Sequence, residues 1–402
     1  MDAAELGALL TPEGLRLVDS LPPMESTDDV GRAVSRLRAD GRSPALVSAA
    51  VGQVRLRAKA RGKFAEFADR MLFTRAGLEQ ATRLSIAARH AGRFREAGVT
   101  AVADLGCGIG GDALGFAALG LRVHAVDADE VTAAIAAYNL APFGDAVTVQ
   151  HARAEDVDLA ARFASPGERG AVWLDPARRT AGHSETSRVR PEDYTPSLEW
   201  AFALAERMPT GIKLGPGFDR SALPPHVEAQ WVSADGSTIE LVLWSGTLAR
   251  DGVRRAALVV RGDSAHELTA AKDAADEPVR ALGAYLHEPD GAVIRARLIG
   301  DVARALQAGM VADGIAYLTS DAALTSPFVS SFRVREQLPA DVKALARALR
   351  QRGIGTLEIK KRGVDIDPAV LRKSLKLSGE ASATLFVTRI DGRRVALLAD
   401  RV

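Results

Sequence analysis

The chain has 402 residues, with 52 Lys and Arg against 51 Asp and Glu, a net charge of +1, 47% hydrophobic residues and only 5% aromatic ones. That length suits two to four domains with aliphatic cores, and the balanced charge excludes a molecule that binds polyanions over its whole surface. One cysteine, Cys107, excludes an intrachain disulfide and a cysteine-built zinc site, and suits a reducing, cytoplasmic setting.

The N-terminus, MDAAELGALL, is acidic and has no basic run before an apolar one, so no signal peptide is expected. Residues 1–95 read as a helical domain, with apolar positions at helical spacing through Leu9, Leu15 and Val18 and again through Phe64, Phe67, Met71 and Leu72. Arg55, Arg57, Lys59, Arg61 and Lys63 alternate along this part. They are either a solvated helix surface or an arm facing nucleic acid. From residue 96 to 250, short β-rich runs alternate with helical ones: TAVADLG, RVHAVDA, AVTVQHA, AVWLDP and GIKLGPG. Such alternation predicts an α/β domain with a parallel sheet covered by helices. EAQWVSADG and TIELVLWSG, meeting at Gly236-Ser237, predict a hairpin closing that sheet at one edge. Residues 251–330 read as a connecting α/β region, with one more strand (RRAALVV) and a helical pattern from Pro289 to Leu306. Residues 331–402 read as a small α+β domain in the order strand, helix, strand, helix, strand, strand. Asp367 caps its second helix and Pro368 takes the first helical position.

The segment Asp104-Leu-Gly-Cys-Gly-Ile-Gly-Gly-Asp112 follows a strand and opens a helix. Gly106, Gly108 and Gly110 allow a tight turn that approaches a ligand closely. A second strand ends in Asp127, 17 residues beyond Gly110, near the roughly 20 expected of a ribose-binding acid. Asp104 and Asp112 would repel a pyrophosphate but suit a ligand carrying an ammonium and a sulfonium, which favours S-adenosylmethionine.

On these motifs, residues 100–156 resemble a class I S-adenosylmethionine-dependent methyltransferase, which implies a Rossmann-like α/β sheet. The resemblance implies a cofactor contact at Asp104, Gly106, Cys107, Gly108, Gly110 and Asp112 in the first motif. It implies further contacts at Asp127 and Ala128 in the second. In the third motif Arg153 stands at the usual acid position, and Ala154, Glu155 and Asp156 are the candidates there. Asp175-Pro176, in WLDPARR, resembles the start of the Asp/Asn-Pro-Pro-aromatic motif of amino-group methyltransferases. Asp175, Pro176 and Arg178 are therefore the catalytic candidates. Arg178 stands where an aromatic ring would stack on a base, a role a planar guanidinium also fills. The alternative is a loop held by a pair between Asp175 and Arg178 or Arg179. Gln80, Arg179 and Lys213 are substrate-side candidates, and Tyr194 is a candidate for stacking. The seven histidines show no metal-ligand spacing, so no metal is expected and each reads as a surface or packing residue.

LEQAT, DLGCGIGGD, LDPARR, YLHEPDGAVIRARL and GTLEIKKRGVDIDP together resemble a bacterial group of methyltransferases with a C-terminal THUMP-like domain. THUMP domains belong to RNA-modifying enzymes, so the resemblance implies an RNA partner, tRNA or rRNA, with Lys360, Lys361 and Arg362 on its phosphates. The expectation is an S-adenosylmethionine-dependent methyltransferase acting on a base nitrogen in RNA. The alternatives are a protein or small-molecule methyltransferase, or a non-catalytic RNA-binding protein that retains the cofactor fold.

Overall fold

The N-terminal helices begin where the sequence supplies caps. Asp2 with Glu5, and Ser26 with Asp29, form reciprocal capping boxes, while Thr11, Ser43 and Thr74 each accept from a first-turn amide. In the computed structural model, which describes residues 1–24, 26–178 and 194–402, these caps open five helices. They are α1 (Ala3–Leu9), α2 (Pro12–Ser20), α3 (Thr27–Ala39), α4 (Pro44–Phe64) and α5 (Arg75–Gln80); α6 (Leu84–Glu96) follows without a side-chain cap. The chain forms two units, one of Met1–Leu214 with Leu243–Ala249, the other of Gly215–Val242 with Arg250–Val402.

In the first unit, α4 grips the extended segment 71–73. Gln53 exchanges hydrogen bonds with the backbone of Phe73 (2.7 and 3.0 Å), and Arg57 donates to the Met71 carbonyl (3.0 Å) and to Asp19 (2.8 Å). Arg61 pairs with Asp69, and the Lys63 ammonium donates to the carbonyls of Leu78, Glu79 and Ala81 at 2.7–2.8 Å. Three of the five alternating cations thus have partners within the fold, Arg61 at the surface. Arg55 and Lys59 stay exposed, so the nucleic-acid arm reading of this stretch loses most of its charge.

The sheet of this unit holds β1 (Ala101–Leu105), β2 (Arg122–Asp127), β3 (Val147–His151), β4 (Gly170–Leu174) and, after the two-residue strands β5 (Ala177–Arg178) and β6 (Tyr194–Thr195), β7 (Thr210–Leu214). Helices α7 (Gly111–Ala118), α8 (Glu130–Leu140), α9 (Leu159–Arg162) and α10 (Leu198–Ala205) connect them. The order is β7-β4-β1-β2-β3, and every neighbouring pair is parallel. This is the expected Rossmann-like arrangement, and its direction of winding reverses between β1 and β4, where such sheets bind ligands. Trp173 at the centre of β4 packs against His90 (4.5 Å between ring centres), Trp244 (5.8 Å) and Phe116 (6.0 Å). A Cβ on Gly115 of α7 would lie 2.9 Å from the Ala87 carbonyl. Glycine there lets α6 close onto α7, which brings His90 over the start of α7.

The second unit begins with β8 (Glu228–Ala234) and β9 (Ser237–Trp244, whose last two residues belong to the first unit), then β10 (Arg255–Arg261) and β11 (Ser264–Ala270). The predicted β8–β9 hairpin is not an edge. β10 runs parallel to β8, with Val232 opposite Leu258, and β11 pairs antiparallel beyond it. All seven residues of β8 are buried, as a strand covered on both faces requires, so its apolar run marked an interior strand. After β12 (Tyr285–Pro289), the helical stretch splits into α11 (Gly291–Ala296) and α12 (Ile299–Ala305), because Arg297 takes a left-handed conformation at φ 59°.

The remaining elements are β13 (Gly309–Ala312), β14 (Ile315–Ser320), β15 (Val329–Leu338), α13 (Val342–Gln351), β16 (Ile354–Lys361), α14 (Pro368–Leu375), β17 (Ala381–Ile390) and β18 (Arg393–Arg401). From β15 onward this is the order read from the sequence, and Asp367 accepts from the amides of Ala369 and Val370 as expected. The strands form one sheet, β13-β14-β12-β15-β18-β17-β16, so residues 285–320 extend the C-terminal sheet. Leu345, Leu349, Leu371 and Leu375 of α13 and α14 pack on one face, and Tyr317, Phe332 and Phe386 fill the other.

Candidate active site

β1 runs out of the sheet at the winding reversal and turns through Gly106 (φ 89°), Gly108 (φ 56°) and Gly110 (φ 88°), all left-handed and costly for any other residue. A Cβ on Gly106 would stand 3.0 Å from the Asp175 carbonyl oxygen, so glycine is what lets the ends of β1 and β4 meet. A Cβ on Gly108 would touch nothing within 4 Å; that side of the turn is open space. The amides of Gly106 and Cys107 both donate to the Val126 carbonyl (2.9 Å), which ties the turn to β2. The Asp127 carboxylate then accepts from the Gly108 amide (2.9 Å) and the Asp129 amide (3.0 Å).

The three acids of this region sit in different surroundings. Asp104 is 1% exposed, and neither of its oxygens has a hydrogen-bond partner among the described residues. Burial first, then the charges of Asp112 and Asp175, push its carboxyl well above the usual carboxylate range. Burial also raises Asp127, opposed by the two amides it accepts. Asp112, assigned from the sequence to the cofactor, instead engages both oxygens within the fold: Thr82 donates to Oδ2 (2.7 Å) and His90 Nδ1 lies 2.8 Å from Oδ1. Burial alone would raise it, but the hydrogen bond and charge of His90, then Lys213 and Thr82, hold it at about 2. The first helical turn after the glycines points Asp112 at α6, and the sequence motif carries no sign of that direction.

Lys213 at the end of β7 completes the cluster. Its ammonium donates to Asp175 Oδ2 and to Thr82 Oγ1 (2.9 Å) and stands 3.9 Å from Asp112. Lys213 and Asp175 were read separately as substrate-side and catalytic candidates, and the structure makes them one ion pair. Lys63, holding the carbonyls that lead into Thr82, is lowered by burial and by the nearby charge of Lys213. Asn139 of α8 accepts from the Leu72 amide (2.7 Å) and donates to the carbonyls of Leu72 (3.0 Å) and Ile109 (2.9 Å). It thereby joins the segment gripped by α4 to the glycine turn.

Cys107 is buried, and burial pushes its thiol up; Pro176 is buried. The Ala128 carbonyl lies 3.1 Å from His151 Nε2. Ala154 is buried, Glu155 pairs with Arg153 at 3.0 Å, and the Asp156 amide donates to the Arg153 carbonyl. Gln80 is exposed at the end of α5. Tyr194 is 3% exposed, which takes its ring out of reach as a stacking platform. Arg179 and the Arg178 side chain lie outside the described residues. In the second unit, Lys360 pairs with Glu288 (2.6 Å) and Glu358 (3.2 Å), and Arg362 lies 3.7 Å from Glu288 and over the Tyr317 ring. Of the three tail cations proposed for phosphates, Lys361 stays exposed while the other two are held by carboxylates. Thr82, His90, Asn139 and Lys63 were not singled out as site residues. The available signal was His90 on the buried face of α6 with Ile86, Ala87, Ala91 and Phe94, a polar residue where the helix is otherwise apolar.

S-adenosylmethionine fits this turn. Asp104 is a buried carboxylate lacking a partner among the described residues, which a cationic ligand group satisfies. Gly108 leaves room against bare backbone, and Asp127 has acceptor capacity beyond its two amides for a ribose diol.

The comparisons agree. A family model described as THUMP domain-like matches residues 329–401, and a model of a domain of unknown function matches residues 2–60. An uncharacterised S-adenosylmethionine-dependent methyltransferase of Mycobacterium tuberculosis, from strains CDC 1551 and H37Rv, is 34% identical over 367 residues, 88% of this chain and 95% of the relative. A crystal structure from Porphyromonas gingivalis W83, named as a methyltransferase, shares the fold with a TM-score of 0.71 at 19% identity, over 94% of this chain and 99% of that one. No helix among the described residues is long and apolar enough to cross a membrane. With the cofactor turn at the winding reversal and this relative matching along nearly its whole length, the chain belongs to the S-adenosylmethionine-dependent methyltransferases.

Proposed function

We propose that the chain methylates a base nitrogen in RNA, with Asp175 aligning the target and Lys213 holding Asp175 in place. The observation that carries this reading is the Lys213–Asp175 pair against the cofactor turn, with the Asp175 backbone in contact with Gly106. The THUMP-like region at residues 329–401 favours RNA over a protein or small molecule.

S-adenosylmethionine, when bound, supplies a methyl carbon made electrophilic by the adjoining sulfonium. A carboxylate accepts hydrogen bonds and donates none, so Asp175 selects a nucleophile that offers an N–H. Accepting that N–H turns the nitrogen lone pair toward the methyl, and positioning of this kind is the main contribution a protein makes to an in-line displacement. With the cofactor bound, the methyl would pass to that nitrogen, and Asp175 or water would take the proton the nitrogen releases. Thr82 also accepts from the Lys213 ammonium and donates to Asp112, which His90 holds in place. The test is to compare modified nucleosides by mass spectrometry in RNA from cells with the gene, without it, and with Asp175→Ala. Loss of one methylated nucleoside in both altered strains supports the reading; identical profiles in all three overturn it.

A further inference from the structure

The second unit carries a concave site of about 490 Å³ that none of the candidates discussed so far lines. Its wall brings together Arg220, Arg254, Arg255 and Lys272, with Asp273 as the carboxylate among them. Arg220 Nη2 donates to Asp273 Oδ2 (2.5 Å) and Arg255 Nε to Oδ1 (2.8 Å), so both oxygens of Asp273 are engaged. No ion pair holds Arg254 or Lys272 among the described residues, and both are exposed. The Arg220 Nε is buried and has no acceptor there either. Two of the four cations therefore share one carboxylate, the other two line the site without an ion pair among the described residues, and one buried guanidinium N–H has no partner there. Across the site, Pro224 and Pro225 form a stiff apolar flank.

That arrangement suits a group with several acceptor oxygens and a full negative charge. Arg220 and Arg255 are oriented by Asp273, so their planar forks are held before a ligand arrives. Arg254 and Lys272 supply the uncompensated charge. We propose that this pocket binds a phosphate group. On the RNA reading above, from which the identity of its source follows, it takes a backbone phosphodiester of the substrate while the prolines face the adjoining ribose. Contacts of this kind hold an RNA in register without reading its sequence.

The test uses the full chain and an Arg254→Gln/Lys272→Gln double variant, whose fold is checked by circular dichroism and by S-adenosylmethionine affinity, both expected unchanged. Fluorescence anisotropy with a labelled single-stranded RNA of mixed sequence is titrated with salt, and calorimetry measures adenosine 5′-monophosphate. Loss of the one phosphate held there should make the slope of log affinity against log salt shallower by about 0.7 and weaken RNA binding roughly tenfold at physiological salt. Unchanged RNA affinity and slope in the variant overturn the site and leave the RNA reading standing. If the wild type binds the mononucleotide but no RNA, and the variant loses it, the site holds and the RNA source falls. If the wild type binds neither, the proposal is overturned.

Discussion

Asp104→Asn should change stability and cofactor affinity in opposite directions. The native carboxylate is 1% exposed, lacks a hydrogen-bond partner among the described residues and faces the charges of Asp112 and Asp175. Its folded pKa lies well above the unfolded value. The stability linked to it is therefore present below the ordinary carboxylate range and is lost as pH rises through the raised folded value. Asparagine has nearly the same shape and no charge to bury. The ligand-free variant should be more stable at neutral pH, because its amide is as short of partners as the carboxyl but carries no charge, by about 1.4 kcal/mol for each pH unit that burial raises Asp104. For a chain of this size each kcal/mol is a rise of roughly 1 °C in Tm, and the gap should shrink as pH falls. The same change removes the buried charge available to the cofactor's cationic groups. S-adenosylmethionine affinity should fall roughly 10- to 100-fold, as for a lost charge-assisted hydrogen bond. Differential scanning calorimetry across pH and isothermal titration with the cofactor measure the two effects. A ligand-free variant less stable than wild type would show that Asp104 has a partner in the fold, and unchanged cofactor affinity would remove Asp104 from the site.

Lys213→Met should lower kcat by about 100-fold while leaving S-adenosylmethionine affinity within a few-fold of wild type, because it loosens Asp175 and not the glycine turn; a matching fall in cofactor binding would place Lys213 on the cofactor side. Gly106→Ala and Gly108→Ala both force a left-handed alanine, but the first also meets the Asp175 carbonyl at 3.0 Å while the second meets open space. Gly106→Ala should therefore destabilise the chain by more than the roughly 1–2 kcal/mol of backbone strain that Gly108→Ala carries. Gly108→Ala should still lose cofactor binding, and full binding by it would mean that the ligand does not approach that face. In the second unit, His287 is fully buried between Ser331 (2.8 Å) and Ser320 (2.9 Å), and burial lowers its pKa to about 4. Its neutral form is the stable one, so about 3 kcal/mol should be lost as pH falls from the ordinary histidine range toward 4. A His287→Asn variant whose unfolding keeps the same pH dependence would rule this out.

Local chemistry is what the sequence determined. The glycines of DLGCGIGGD, the strand before them and the acid at position 127 follow from backbone sterics and a fixed spacing, and the structure has them at the winding reversal. Asp367 caps α14 because a cap needs only its own next three residues. Tertiary structure decided which charged groups meet. Lys213 reaches Asp175 and Thr82 across β4, β7 and the loop before α6; Lys360 and Arg362 meet Glu288 of β12, a strand separated from β16 by three others in the sheet order; and Asp112 turns toward His90. The β8–β9 hairpin lies inside its sheet because β10, from later in the chain, pairs alongside β8. A charged side chain shows its type in the sequence but not its partner. Its role depends on which distant carboxylate or carbonyl lies within about 3 Å once the backbone is packed.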